Sequence, residues 1–264
     1  MVETWFSFPH IDPIIIEIGP LALRWYGLMY LLGFLAALLL LNRYADRPNS
    51  GWTRDQVSDL LFYCFLGVVL GGRLGYVLFY GWQWLLDDPL YLFKITDGGM
   101  SFHGGLLGVI TAMGYIAYRQ KRSYWQVADL VAPVVPIGLG FGRIGNFING
   151  ELWGRTTEMP WGIVFPGAGL LPRHPSQLYE AFLEGLVLFI ALWWFSRRQP
   201  RPGATAGLFL VGYGLSRFLV EFVRQPDAHL DFYWGMTMGQ LLTVPMLLFG
   251  LFLMVRPVRS VSQP

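Results

Sequence analysis

Fourteen consecutive residues, Gly142-Arg143-Ile144-Gly145-Asn146-Phe147-Ile148-Asn149-Gly150-Glu151-Leu152-Trp153-Gly154-Arg155, hold two Arg, two Asn, one Glu and four Gly. Gly leaves backbone amides open to a ligand. Arg offers a planar fork of donors suited to phosphate or carboxylate, and Asn or Glu can hold such forks in place. The run starts where a hydrophobic segment ends, and it reads as a pocket for an anionic head group. The plainer alternative is a polar turn that caps two helices. Ionisable residues at membrane depth are functional by default, which favours the pocket.

Three other places carry residues of the same kind. The segment Asp97-Gly98-Gly99-Met100-Ser101-Phe102-His103-Gly104-Gly105 sets two Gly pairs around one His at the start of an apolar stretch. An imidazole at a helix start, unobstructed by neighbours, can accept a proton, so His103 is the candidate general base. Its alternative is a His that hydrogen-bonds a helix end. His10, His174 and His229 lie outside the apolar segments and are weaker candidates. Tyr213, Arg217, Glu221 and Arg224 follow at spacings of four, four and three, which puts them on one helical stripe. Arg217 leaning on Glu221 could aim its free donors at a ligand; a buried ion-pair ladder is the other reading. Arg73 is open between lining the pocket and holding a carboxylate.

The elements that must position these residues are membrane helices. The chain of 264 residues is 54% hydrophobic and 14% charged, with mean hydropathy +0.45, against about a quarter charged in an average globular chain. Seven apolar runs of bilayer length are expected near 21–41, 57–80, 101–118, 124–142, 177–195, 204–222 and 237–255. All should be helices, since a helix satisfies its own backbone in lipid. The predicted fold is therefore all-α, a single polytopic membrane domain over 1–264 with seven transmembrane helices. A small periplasmic head, 144–175, is inserted between spans four and five. A second outer segment, 81–100, carries Trp82, Trp84, Asp87 and Asp88, and its aromatics suit the lipid–water boundary. Gly67, Gly71 and Gly75, four residues apart in span two, read as a helix-packing face.

Basic residues set the orientation. Arg43, Arg47, Arg54, Arg119, Lys121, Arg122, Arg197, Arg198, Arg201, Arg256 and Arg259 give eleven on one side. Lys94, Arg155, Arg173 and Arg224 give four on the other. The N-terminus is thus expected outside and the C-terminus in the cytoplasm. The first twenty residues hold Glu3, Asp12 and Glu17 but no Lys or Arg, so no cleavable signal peptide is expected.

The remaining arginines, Arg24, Arg73, Arg143 and Arg217, all fall in or near the outer half of the bilayer on this topology. Snorkelling accounts for one or two of them. Four at similar depth on four helices are better explained by a shared anionic ligand, such as a phospholipid head group of the outer leaflet. Two non-enzymatic readings compete: a transporter or flippase for an anionic lipid, and a lipid-binding scaffold. A transporter needs a path inward, yet the inner halves of the spans have almost no polar side chains. No P-loop, dinucleotide fingerprint or paired-His metal motif is present in the sequence, and nucleic-acid binding has no support. The single Cys, Cys64, lies in an apolar run and reads as a small buried hydrophobe.

The run GRIGNFINGELWGR closely resembles the signature of the bacterial prolipoprotein diacylglyceryl transferases. The resemblance extends over nearly the whole chain, through Arg24-Trp25-Tyr26-Gly27, Gly71-Gly72-Arg73, SFHGG at 101–105, RHPSQLYE at 173–180 and GYGLSRFLVEFVRQPD at 212–227. It implies a seven-helix inner-membrane enzyme. Such an enzyme moves a diacylglyceryl group from phosphatidylglycerol to the lipobox Cys thiol of a preprolipoprotein and releases glycerol 1-phosphate. On the matching positions it implies functional roles for Tyr26, His103, Arg143, Asn146, Glu151, Gly154, Tyr213, Arg217 and Glu221. Arg143 and Arg217 would stabilise the departing phosphate. Tyr26, Asn146 and Tyr213 would position the head group, Glu151 and Glu221 would orient arginines, and Gly154 would let the backbone turn close to the ligand. No metal or organic cofactor is implied, and a monomer is expected. The partners are phosphatidylglycerol, the lipobox peptide and membrane lipid.

Overall fold

The computed structural model describes residues 6–9, 11–19, 21–94, 98–225 and 235–256. Glu3, His10, Asp97, Pro226, Asp227, His229 and Arg259, named above, lie outside the described residues. The chain forms two compact units, one made of residues up to Ala37 and from Val131 onward, the other of Leu38–Leu130. In chain order the strands and helices are β1 (Phe6–Ser7), β2 (Ile14–Ile18), β3 (Leu21–Arg24), α1 (Trp25–Ala45), α2 (Arg54–Phe79), α3 (Trp82–Asp87), α4 (Phe102–Arg119), α5 (Tyr124–Val131), α6 (Val135–Ile148), β4 (Ile163–Val164), α7 (Ser176–Glu180), α8 (Leu188–Ser196), α9 (Ala204–Val220) and α10 (Met238–Val255). A 3-10 turn covers Pro89–Phe93 and a π-helical stretch, Ala181–Val187, joins α7 to α8.

Helical segments fall on each of the seven expected spans. By length and composition, four of the described helical segments can cross a bilayer: Trp25–Ala45, Arg54–Phe79, Ser176–Ser196 and Met238–Val255. The broken pair α5 and α6 makes a fifth if counted as one span. The expected continuous helix over 124–142 is interrupted because Pro133 and Pro136 lack the N–H that a helix interior needs. Helix α9 is apolar but has 17 residues. Helix α4 is less apolar because His103 and Arg119 fall within its 18 residues. Span one also starts later than expected: Leu21–Arg24 pairs antiparallel with Ile14–Ile18, so Arg24 sits on a strand rather than in a helix. The helices present many large apolar side chains outward, for example Phe62, Phe65, Leu70, Leu74 and Leu78 on α2. Lipid covers such surface in a membrane protein, whereas water would not tolerate it.

In the Leu38–Leu130 unit, α2 and α4 pack backbone to backbone. A Cβ on Gly67 would lie 2.5 Å from the Gly108 oxygen, one on Gly75 2.8 Å from the Gly104 Cα, and Gly71 abuts Gly104. The face expected from the four-residue spacing is thus a helix seam. A capping box starts α2, with Thr53 accepting from the Gln56 N–H and Gln56 accepting from the Thr53 N–H.

In the other unit, β1 pairs parallel with β4, joining Phe6 to Ile163 and Ser7 to Val164. Phe8, Phe147 and Phe165 cluster beside this pair, with ring centroids 5.3 to 6.0 Å apart. The segment after α6 is held by single bridges, Gly154 to Arg224 and Thr156 and Ile163 to Arg173.

Candidate functional site

Glu180 and Glu184 stand one turn apart in a run that is otherwise apolar from Leu178 to Phe195. The start of α7 is fixed to the Gly150–Trp153 loop: Ser176 Oγ donates to the Leu152 oxygen at 3.1 Å and Gln177 Nε2 to the Glu151 oxygen. About two turns further on, α6 and the π-helical stretch touch through glycines, since a Cβ on Gly185 would lie 2.7 Å from the Gly140 Cα. This close approach brings Arg143, three residues past Gly140, onto both carboxylates. Its Nε lies 3.2 Å from Glu180 Oε2, and a terminal nitrogen lies 3.7 Å from Glu184 Oε2.

Helix α9 supplies the second arginine. Arg217 donates to Glu180 Oε1 at 2.6 Å and pairs with Glu221 Oε2 at 2.9 Å. Arg224 Nε stands 3.8 Å from Glu180 Oε1 and makes no side-chain hydrogen bond among the described residues. Tyr213, one turn before Arg217, is near enough to Glu184, Arg217 and Arg143 to feel their charges. Glu180 is thus the centre of a cluster in which three guanidinium groups meet three carboxylates.

Exposure divides the cluster into a back and a front. The side chains of Glu180 and Glu184 are 0% exposed and Glu221 3%, while Arg143, Arg217 and Arg224 are 19%, 15% and 11% exposed. The carboxylates are the more deeply buried partners, and each arginine side chain keeps some exposure. A buried ion pair of this kind is weak grounds for stability.

Sequence reasoning missed Glu180 and Glu184 as participants. Their signal was present: two carboxylates at i and i+4 inside an apolar run must be paired or functional.

Asn146 and Glu151 come together in the same unit, and among the described residues no arginine forms an ion pair with Glu151. Glu151 Oε1 accepts from Asn146 Nδ2 at 2.9 Å and Asn149 Nδ2 at 3.1 Å. The expectation that Glu151 orients an arginine is therefore replaced by one in which it fixes two asparagines. Tyr26 packs on Gly145, where a Cβ would lie 3.0 Å from its ring, and its hydroxyl is 3.1 Å from that of Tyr30.

Gly154 is closely packed by backbone from two other segments. A Cβ there would lie 2.5 Å from the Val223 oxygen, 2.7 Å from the His174 Cβ and 2.8 Å from the His174 oxygen. Its N–H donates to the His174 oxygen at 2.8 Å and its oxygen accepts from Arg173 at 3.2 Å. Close packing of three backbone segments, one of them leading into Arg224, requires this glycine.

The Leu38–Leu130 unit contains Arg73 and His103. Arg73 is 3% exposed. Its guanidinium donates to the oxygens of Leu92 at 3.1 Å, Gly98 at 2.6 Å, Gly99 at 3.3 Å and Tyr91, and lies over the Tyr91 ring. All of these partners are backbone carbonyls, and no carboxylate pairs with Arg73 among the described residues. Gly98 and Gly99 have φ of +80° and +83°, a turn that suits glycine. Just beyond that turn, Ser101 caps α4, and His103 is the second residue of the helix. Its imidazole is exposed and meets the Phe102 ring edge-on at 5.6 Å.

Long apolar helices around a buried arginine–carboxylate cluster define the class as a helical membrane protein with an ionic core. The family model described as Prolipoprotein diacylglyceryl transferase matches residues 13–256. The chain belongs to this family of transferases. A phosphatidylglycerol–prolipoprotein diacylglyceryl transferase of Shewanella sp. (strain ANA-3) is 65% identical over 261 residues, covering 95% of this chain and 97% of the relative. One so named from Aliivibrio fischeri (strain ATCC 700601 / ES114) is 64% identical over 272 residues, covering 100% and 98%. Another from Vibrio parahaemolyticus is 63% identical over 257 residues, covering 97% and 94%.

Proposed function

We propose that this chain transfers the diacylglyceryl group of phosphatidylglycerol to the lipobox Cys thiol of a preprolipoprotein. The observation that carries the reading is Glu180 shared between Arg143 and Arg217, whose side chains are both partly exposed while Glu180 is wholly buried. Phosphatidylglycerol offers such a pair one phosphodiester charge.

The thiol loses its proton and its sulfur attacks the glyceryl carbon that bears the phosphodiester. An S–C bond forms, the C–O bond to phosphate breaks, and the electron pair leaves on the phosphate oxygen. The products are the thioether and glycerol 1-phosphate. A free thiol has a pKa of about 8.5, so it needs an acceptor for its proton. The sequence motif alone supports His103 in that role. Arg143 and Arg217 stabilise the charge that builds on the leaving phosphate, as preorganised donors do best in a dry site. Tyr26, Asn146 and Tyr213 position the head group, Glu151 through its hold on Asn146, and Glu221 through Arg217.

We further infer seven spans, with the N-terminus in the periplasm and the C-terminus in the cytoplasm of the inner membrane. The eleven-to-four division of basic residues supports this orientation. It makes 144–175 a periplasmic head and gives a monomer access to lipid of the outer leaflet.

The test is transfer from labelled phosphatidylglycerol to a lipobox peptide by the purified protein in detergent. A mass gain on the peptide Cys, absent with a Cys→Ser peptide and with His103→Gln, is the expected result. Bound lipid without mass gain would reduce the site to a binder, and near-normal turnover by His103→Gln would remove that residue as the base.

A further inference from the structure

Helix α10 begins against the cluster, and its second residue, Gly239, faces Glu221. A Cβ built on Gly239 would lie 2.8 Å from the Glu221 Cδ, 2.8 Å from Oε1 and 2.9 Å from Oε2. These three carboxylate atoms are its nearest neighbours. Side-chain carbons do not approach a carboxylate that closely, so a methyl here must displace the carboxylate. The backbone at this point is fixed. Thr237 caps α10, accepting from the Gln240 N–H at 3.2 Å, while its own N–H donates to Gln240 Oε1 at 3.1 Å. Thr237 and Gln240 are each 5% exposed. Glu221, at the far end of a flexible side chain, is the member of the contact that can move. It is also the partner of Arg217 at 2.9 Å. The first turn of α10 carries partial positive charge, which favours a carboxylate placed against it.

We propose that Gly239 is a positioning residue for the transfer reaction, keeping open the space in which Glu221 orients Arg217. The inference rests on the functional reading above. Glycine at this position leaves the carboxylate against the helix end, within reach of the guanidinium, and any larger residue turns it away. Because the displaced group is a side-chain terminus and not backbone, Gly239→Ala should fold and lose function selectively. Removing a whole transition-state donor typically costs about 10²–10³ in rate. A misaimed donor should cost less, about tenfold. An interaction made in the transition state lowers kcat rather than raising KM.

The experiment measures kcat and KM for phosphatidylglycerol, with thermal melting, for the wild type, Gly239→Ala, Glu221→Asp and Gly239→Ala/Glu221→Asp. The expected result is a kcat about tenfold lower in Gly239→Ala at near-unchanged KM. Gly239→Ala/Glu221→Asp should recover above Gly239→Ala, since Asp is one methylene shorter and withdraws from the methyl. Wild-type kcat in Gly239→Ala overturns the proposal, as does a loss that Glu221→Asp does not relieve. If Gly239→Ala lowers the melting temperature, Gly239→Ala/Glu221→Ala is compared with Glu221→Ala: with the carboxylate gone, the added methyl should cost nothing. A cost that persists there also overturns it. Failure of the wild type itself to transfer would instead sink the functional reading, so the two failures are distinct.

Discussion

Arg217 on α9 reaches Glu180 on α7 across 2.6 Å. The other oxygen of the same carboxylate receives Arg143 from α6 at 3.2 Å. One wholly buried Glu therefore sets the spacing of two arginines that come from separate helices. Rigid spacing matters because a phosphate that changes charge during reaction is stabilised best by donors that need not reorganise.

Glu180→Gln keeps the shape of the side chain and removes its charge. Breaking a buried pair from one side typically costs about 3–5 kcal/mol, because the partner charge is left uncompensated. Here two arginines lose their shared partner, so both melting temperature and transfer rate should fall. A variant as stable and as active as the wild type would show that Glu180 neither holds nor orients the pair.

Arg217→Lys keeps the positive charge but replaces a planar fork with a point charge. Arg217 now serves Glu180 and Glu221 with separate nitrogens, and a lysine cannot hold both while presenting an edge to phosphate. The expected loss in kcat is about 10²–10³, the usual cost of one preorganised donor. Steady-state kinetics with phosphatidylglycerol would measure it, and a rate within twofold of wild type would rule out the fork.

The helix-packing face and the Arg217–Glu221 pair were legible because each depends on spacing along one helix and its cap. Arg224, expected on the same stripe, lies beyond the end of α9 and bridges to Gly154. Gly67, Gly71 and Gly75 form the seam with α4, and Arg217 pairs with Glu221 one turn away. Contacts between distant segments were not legible. Nothing local to Gly154 announces that Val223 and His174 close around it, and nothing local to Arg73 announces four carbonyls some twenty residues on. The break at Pro133 was visible as a proline, but hydropathy outweighed it in the expected span. Glu180 and Glu184 were overlooked for the opposite reason: they disrupt an apolar run that was otherwise easy to assign.

Arg73 supports the turn that leads into α4. Arg73→Lys should strand carbonyls among those of Tyr91, Leu92, Gly98 and Gly99, since an ammonium cannot span the same set. Each buried carbonyl left unpaired costs roughly 1–3 kcal/mol. The expected outcome is a lower melting temperature with an unchanged KM for phosphatidylglycerol per folded molecule. A raised KM at unchanged stability would restore Arg73 as a lipid contact.

His174 gives the 144–175 segment a dependence on acid. Trp161 Nε1 donates to the Tyr179 hydroxyl at 2.7 Å, which leaves that O–H to face His174 Nδ1 at 3.2 Å. The arrangement calls for an unprotonated Nδ1, and burial holds the His174 pKa below its usual 6.5. With the folded pKa depressed, the stabilisation is present above pH 6.5, where folded and unfolded chains are both neutral. As pH falls from there through the depressed pKa, the unfolded chain takes up the proton first and the stabilisation is lost. Melting should therefore shift to lower temperature between pH 7.5 and about pH 5 in the wild type. His174→Gln retains an acceptor but cannot titrate, so its shift over that range should be smaller. Equal acid sensitivity in the two proteins would show that the imidazole is not the group responsible.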